Sequence, residues 1–477
     1  MIRSVPRIEW IALLILLLGH GVASWTSSGY HHPDEHYQIL EWANHFLGLS
    51  PDTTHLPWEF AAQIRPWFQP LLHAGWMKLL LILGVYEPFS AVTLIQGIYA
   101  LLNVWLLIRI WRFMRDRYGI APQGAIAIAL LWFLPYIHVR TSSENLAGIL
   151  LSWGLLGMLE SRSAFRNGVF FGFAFLARYQ IALGLAGLGL TLLLRARGLR
   201  KYHLALLGGF LLPVALGVLL DRIGYGNWVF SPYLYFKVNL VDGVAARYNP
   251  YPWWMYFEWI LQLNPLVSVP LFIGCVGFLK KGKDEDGWIL GSFVWSFFAL
   301  HCLITNKEYR FLFPVLNWIP FLALVFFKDF ALKLARPAWW VPYASINLLA
   351  FTVSTLHGAS LRTLGAPFLA HRNLDPALPV LASRDYRGNP PYYSFPEHRL
   401  TVFQNPEELR SLLSGSGPVQ VLLDGKWDEP SHEPIQKMLA DRSCRLQDAS
   451  VPAWLSTLVW KTPARHSLPR VEWYHCP

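Results

Sequence analysis

Apolar residues run through the first three quarters of the chain in blocks close to the length of a bilayer-spanning helix. Such blocks cover 8 to 25, 89 to 108, 119 to 138, 145 to 160, 204 to 220, 257 to 279, 288 to 304, 311 to 327 and 338 to 357. The stretch 167 to 194 is long enough for two short helices broken near Arg178. Since a bilayer core takes about 20 apolar residues per helix, this pattern predicts about eleven spans. Residues 68 to 86 are a further apolar stretch, read as an interfacial or half-buried helix. After residue 358 the pattern shortens: Leu378 to Ser383, Leu400 to Phe403, Val419 to Leu423 and Leu455 to Trp460 read as strands, and Pro406 to Leu413 as a helix. The expected organisation is a helical membrane domain over 1–357 and a small α/β domain over 358–477, without internal repeats.

The polar segments between blocks give the expected orientation. Lys and Arg cluster at Arg3 and Arg7, at Arg109 to Arg117, at Arg162 and Arg166, at Arg195 to Lys201, at Lys280 to Lys283 and at Lys328 to Arg336. These fall on alternate loops of an eleven-span chain, so the positive-inside rule puts them all on the cytoplasmic side, with the N-terminus inside and the C-terminus outside. The segments 26–88, 139–145, 221–256 and 305–310, the Arg178 break and everything after 358 then share the opposite face. Arg3 and Arg7 precede the run Ile8 to Trp25 as in a signal peptide, but no small-residue cleavage site follows, so this run reads as a retained helix.

Composition fits a membrane protein: 54% apolar residues, 15% charged residues and a mean hydropathy of +0.33. Many of the 23 Trp residues, Trp10, Trp25 and Trp228 among them, flank apolar runs where headgroup-level rings belong. The net charge of +10 comes from short inter-helix clusters, which argues against a nucleic-acid partner. The four cysteines lack zinc-ligand spacing, and Cys444 and Cys476 are candidates for a disulfide if their region lies outside.

Chemistry gathers on the expected outer face. The first external loop opens with Tyr30-His31-His32-Pro33-Asp34-Glu35-His36. Ionisable groups beside a bilayer are costly unless paired or used; a metal site is the alternative, although the spacing matches no metal motif. Sugar transfer from a phosphate-linked donor needs a base for the acceptor hydroxyl and cations around the departing phosphate. Asp34 or Glu35 suits the first task, and Arg65, Arg178, Lys307 and Arg310 suit the second. Snorkelling and helix-end anchoring also explain such cations one at a time. The aromatic segment Trp228 to Phe257, including Tyr248 and Trp253, reads as loop packing or as a groove for a sugar or an isoprenoid chain.

Taken in order, these motifs resemble the glycosyltransferase family 22 mannosyltransferases. The resemblance rests on His32-Pro33-Asp34-Glu35 with Gln38 and Glu41, Trp58-Glu59, Arg65-Pro66-Trp67, Arg140-Thr141, Arg178, Asp221-Arg222, Tyr225-Gly226, Tyr248, Pro252-Trp253, and Lys307-Glu308-Tyr309-Arg310-Phe311. It covers roughly residues 20 to 330, with an echo at Pro391 to Ser394. It implies a GT-C membrane fold and inverting transfer of mannose from a polyprenyl-phosphate-mannose donor to a lipid-linked or glycolipid acceptor on the extracytoplasmic face, with no metal or other cofactor. Asp34 matches the family's first-loop acid and is the expected base, with Glu35 its adjacent alternative. His32, Arg65, Arg178, Lys307, Arg310, Tyr248 and Trp253 are expected around the donor. Pro66 where many members have Ser, and Asn306 where His often stands, depart from the pattern and bear on acceptor preference. Alternatives are another polyprenyl-phosphate sugar, or a transporter or flippase of lipid-linked sugar. The lack of a repeat and the placing of the acids in a long external loop favour transfer over transport.

Overall fold

The computed structural model describes residues 6–26, 29–50, 53–262, 264–281, 284–356, 361–383, 392, 400–415, 417–425, 432–451, 454 and 470–477. Helices dominate up to residue 373. Among the described residues four are long and apolar enough to cross a membrane: Arg7–Thr26, Pro88–Tyr118, Lys201–Tyr225 and Glu285–Leu303. A fifth span is made if the bent pair Tyr309–Leu316 and Ile319–Phe326 counts as one, and Ala164–Ala177, Ile181–Arg195 and Pro265–Leu279 are shorter apolar helices. Blocks that read as continuous in sequence are divided in the structure. Residues 119–138 form Gln123–Ala129 and Phe133–His138, and 257–279 is split between Met255–Gln262 and Pro265–Lys281. Residues 68–86 hold the helix Phe68–Ile82.

Local chemistry sets the helix ends. The Glu87 carboxylate accepts from the N–H groups of Phe89 and Ser90, Pro88 opens the helix, and Gly119 in the left-handed region closes it. The helices Ala164–Ala177 and Lys201–Tyr225 approach so closely that a Cβ on Gly209 would stand 2.0 Å from the Phe165 carbonyl, and one on Gly168 2.1 Å from that of Leu206. Lys201–Tyr225 turns Leu204, Leu207, Leu211, Leu212, Leu219 and Ile223 outward, as a lipid-facing helix does.

The later residues build a five-stranded sheet from β1 (Val380–Ala382), β2 (Leu400–Val402), β3 (Val419–Gly425), β4 (Arg445–Ala449) and β5 (Arg470–Cys476), in the order β2-β1-β3-β5-β4. β1 pairs in parallel with β2 and β3, while β5 runs antiparallel to β3 and β4. Pro406–Leu413, capped by Asn405, makes the crossover from β2 to β3. A disulfide joins Cys444 to Cys476. The stretch Leu455 to Trp460, which the sequence marks as a strand, lies outside the described residues, and so does the echo at Pro391 to Ser394 apart from Tyr392.

Two ends of the helical bundle carry charge. At one, Arg115 meets Glu9, Arg117 meets Asp286, and Arg109 and Arg162 share Glu160. These are loops that the sequence assigns to a single face. At the other end lie Asp34, Arg65, Arg178 and Arg310.

Candidate active site

His32 caps the short helix Pro33–Glu35, with its imidazole Nδ1 accepting from the Asp34 N–H. The chain continues through a π turn, His36–Leu40, a conformation common at functional sites, into Glu41–Phe46. Neighbouring residues on a helix point about 100° apart, and the two acids diverge accordingly. Asp34 faces Arg310 at 2.5 Å and Arg65 at 3.9 Å. Glu35 turns into the protein, accepting the His31 N–H at 2.7 Å and lying 3.9 Å from the buried Arg140.

Arg178 stands at the break between Ala164–Ala177 and Ile181–Arg195, in extended conformation. Arg310 lies in the single turn Tyr309–Leu312. Glu144, in the Ser142-capped first turn of Ser143–Leu159, bridges the two guanidiniums at 3.1 and 3.2 Å. Glu308 holds Arg310 Nε at 2.5 Å and lies 3.4 Å from His32 Nε2. Glu59 lies 3.6 Å from Arg65 and accepts from Gln38. Phe311 lies under both Arg178 and Arg310, and Tyr235 under Arg65.

The far segments explain why Arg65 points here. The Arg65 carbonyl accepts from the Tyr225 hydroxyl, and the Trp67 N–H donates to the buried Asp221 carboxylate, both at 2.8 Å. Trp67 is fully buried against Trp42, and Gly224 is required beside it, since a Cβ there would stand 2.0 Å from the indole. Tyr248 arrives through a bridge between Pro250 and Asn306 and stacks near Trp58.

His32, Asp34, Arg65, Arg178, Tyr248 and Arg310 line one cavity of about 640 Å³ together with Glu59, Glu308 and Asn306. Of the residues the sequence puts around the donor, Lys307 and Trp253 line other surroundings. The Lys307 ammonium is buried, donates to the Ile304 carbonyl and lies 6.0 Å from the Tyr256 ring. Trp253 is exposed against Trp254 and Phe257. Glu35 too is outside this lining. In return the structure adds Gln180, His301 and Tyr235. His301 carries one weak signal in the sequence, a polar residue in the last turn of an apolar run; Gln180 and Tyr235 carry none. Four buried polar atoms in the lining residues, Arg65 Nε, Gln180 Oε1, His301 Nε2 and Asn306 Oδ1, lack a hydrogen-bond partner among the described residues. Buried polar groups in native proteins are nearly always paired, so these mark places for a polar ligand.

A second, almost wholly apolar cavity of about 390 Å³ lies behind the same loop, lined by His31, Tyr136, Tyr256, Phe272, Phe298 and Tyr309 among others. The segment 306–313 divides the two. Glu308, Arg310 and Phe311 face the charged cavity, and Tyr309, Leu312 and Phe313 the apolar one. Among the described residues no three His, Cys, Asp or Glu side chains converge as metal ligands.

Burial opposes ionisation of Asp34, yet Arg310, the His32 hydrogen bond and Arg65 hold its carboxyl well below the usual carboxylate range. Burial pushes Glu35 up to about 7, against the pull of Arg140. The adjacent acids are thus an ionised carboxylate and a carboxyl titrating near neutrality.

A family model described as the Alg9-like mannosyltransferase family matches residues 10–377. The chain belongs to that family. This Alg9-like chain is 25% identical over 292 residues to GPI alpha-1,2-mannosyltransferase 3 of Homo sapiens, covering 60% of this chain and 51% of that protein. It is 27% identical over 365 residues to GPI mannosyltransferase 3 of Schizosaccharomyces pombe, covering 68% and 69%. It spans about half the length of the human and bovine relatives it matches. Among solved structures it is similar to ArnT from Cupriavidus metallidurans bound to undecaprenyl phosphate, with 13% identity and a TM-score of 0.47 over 98% of this chain and 97% of that one. The family match contains every residue lining the charged cavity and ends before β1. As an Alg9-like protein with several apolar helices, the chain is a multi-pass membrane protein.

Proposed function

We propose that this protein transfers a mannosyl residue, with inversion, from a polyprenyl-phosphate-mannose donor to a hydroxyl of a lipid-linked or glycolipid acceptor on the extracytoplasmic face. The observation that carries this reading is one cavity holding an ionised carboxylate, three guanidiniums and four unpaired polar atoms. Family membership and the names of the relatives support mannose as the sugar and a glycolipid as the acceptor.

Asp34 is the general base. It takes the proton of the acceptor hydroxyl as that oxygen attacks the anomeric carbon and the bond to the phosphate breaks. Arg310, Arg178 and Arg65 stabilise the charge that develops on the leaving phosphate. Gln180, His301 and Asn306 supply hydrogen bonds for sugar hydroxyls. In the resting site Arg310 suppresses the basicity of Asp34. A donor phosphate drawing on the same guanidinium weakens that pair and leaves the carboxylate a stronger base. The apolar cavity behind residues 306–313 takes isoprene units next to the phosphate. The disulfide between Cys444 and Cys476 supports an oxidising compartment for the sheet, and the gathering of basic loops at the far end of the bundle supports a cytoplasmic location for that end.

The test is transfer of radiolabelled mannose from polyprenyl-phosphate-mannose to membrane glycolipids, comparing wild type with Asp34→Asn. Loss of about 10²- to 10⁴-fold in kcat, with donor KM little changed, is expected. Normal transfer by the variant would remove Asp34 from its role. Labelling from a different polyprenyl-phosphate sugar but not from the mannose donor would overturn the sugar assignment.

A further inference from the structure

The wall of the charged cavity contains a segment whose outer side is unusual for a protein in water. Between the end of helix Lys201–Tyr225 and residue 241, Trp228, Phe230, Tyr233, Phe236, Leu240 and Val241 are each 50% to 68% exposed. The helix Ser231–Phe236 and the π turn Lys237–Val241 give this stretch two faces. Ser231, Tyr235 and Asn239 lie on the inner one: Ser231 is buried and donates to Asp221, Tyr235 supports Arg65, and Asn239 donates to the Tyr235 carbonyl. Tyr233 and Val241 form the outer one, and Phe236 and Leu240 stand at the edge between the two, more than half exposed while also lining the cavity.

Two further observations identify what covers that outer face. It continues the row of outward apolar side chains on Lys201–Tyr225, of which Leu219 and Ile223 are the last before it in the chain. Lys237 and Arg222 are exposed along it, as basic side chains are at a headgroup layer. The cavity has an apolar part on the same side: Ala182 and Leu183 from helix Ile181–Arg195 line it together with Pro232, Phe236 and Leu240.

We propose that residues 228–241 are seated in the outer-leaflet interface and that the cavity opens sideways into the bilayer between this segment and helix Ile181–Arg195, admitting an acceptor that remains anchored by its lipid. The route for the acceptor rests on the transfer reaction proposed above; the membrane seat does not. An opening rimmed by apolar side chains lets the anchor stay in the leaflet while the polar headgroup passes inward to Arg65, Gln180 and Asn306. A water-soluble glycan would gain nothing from such a rim.

The test uses the full-length protein in lipid nanodiscs. Nitroxide labels are placed at Tyr233→Cys and Val241→Cys, with Lys437→Cys on the helix His432–Asp441, beside the sheet's residues in the chain, as a water-exposed control. The unsubstituted protein is the blank, because its free cysteines, Cys275 and Cys302, are buried. Labels at 233 and 241 are expected to collide more with oxygen than with a water-soluble nickel chelate, the reverse of the control. Water-like behaviour at both would overturn the seat, and dipolar broadening that disappears on dilution with unlabelled protein would assign the face to a second copy instead. For the route, Tyr233→Glu and Val241→Glu are expected to lower transfer to a long-chain lipid-anchored acceptor by about tenfold or more, and to change transfer to a short-chain soluble analogue less than about twofold. Equal losses on both acceptors would overturn the sideways entry. If wild type transfers to neither acceptor, the proposed reaction fails, and the label depths alone uphold or overturn the membrane seat.

Discussion

Both ends of the helical bundle pair arginines with carboxylates, but they do so in different surroundings. At the end with Glu9 and Asp286, the arginine side chains remain a quarter to a half exposed, 25% for Arg115 and 49% for Arg117. At the end with Asp34, the Arg178 and Arg310 side chains are 4% exposed and Glu144 is 1% exposed. At the first end the carboxylates, Glu9 and Asp286, are 6% and 8% exposed, but the guanidiniums reach solvent, and pairs screened in that way gain modest energy. The buried ones are held only because each charge has a partner, so their geometry is fixed before any substrate arrives. Residue type therefore does not separate a topology signal from a site; desolvation and partner count do.

The largest test of this contrast is stability. Arg310→Gln leaves Asp34, Glu144 and Glu308 short of a shared partner, and breaking such a buried cluster costs about 3–5 kcal/mol. Arg117→Gln removes a half-exposed guanidinium from the buried Asp286 and is expected to cost about 1 kcal/mol, since solvent already screens the arginine's side of the pair. Thermal unfolding in detergent compares them directly. Equal shifts in Tm would mean that the buried end is no more preorganised than the exposed one.

A smaller effect follows from charge counting within the buried end. Arg65, Arg178 and Arg310 face Asp34, Glu59, Glu144 and Glu308. Carboxylates outnumber guanidiniums, so a donor phosphate must displace one of them. Glu308 is placed to yield, because His32 offers it a second partner at 3.4 Å. Glu308→Gln is therefore expected to lower the donor KM by about three- to tenfold, the range of one charge-weakened hydrogen bond, while Asp34→Asn acts on kcat. A KM that rises instead would make Glu308 part of the donor site rather than a placeholder for it.

Much of this arrangement is legible in the sequence, for identifiable reasons. The break at Arg178 and the His32-Pro33-Asp34-Glu35 turn are local signals and survive into the fold, and four of the apolar runs fall on helices long enough to cross a membrane among the described residues. Helix interruption is less legible: 124–137 carries no polar side chain but that of Tyr136, yet the chain breaks between Ala129 and Phe133, where the Trp132 N–H donates to the Asn347 side chain, and hydropathy alone does not register that. The site's long-range members are hidden for a similar reason. Glu144 is one acid after a run of polar residues until Arg178 and Arg310 are brought to it from 34 and 166 positions away. His301 reads as a single polar residue at the edge of an apolar run and Gln180 carries no signal; only the fold brings them into one cavity. Lys307, next to Glu308 in sequence, turns away from the cavity that Glu308 lines because Glu308 is extended, and consecutive residues in extended chain point to opposite sides.

A last expected effect separates the adjacent acids at the buried end. Glu35 is raised to about 7 from its ordinary value near 4.5, chiefly by burial, so the folded protein binds that proton more tightly than the unfolded chain. A raised carboxyl contributes stability in full below the unfolded pKa and loses it as pH rises through the folded one. Glu35→Gln, fixed in the neutral form, is thus expected to gain Tm relative to wild type between pH 5 and pH 8, by a few degrees. Asp34 is shifted the other way and stays ionised across that interval, so Asp34→Asn should show no such drift over the same pH range. A Glu35→Gln difference that does not move with pH would mean that Arg140 keeps Glu35 ionised throughout. The two neighbours would then hold the same charge state despite their different surroundings.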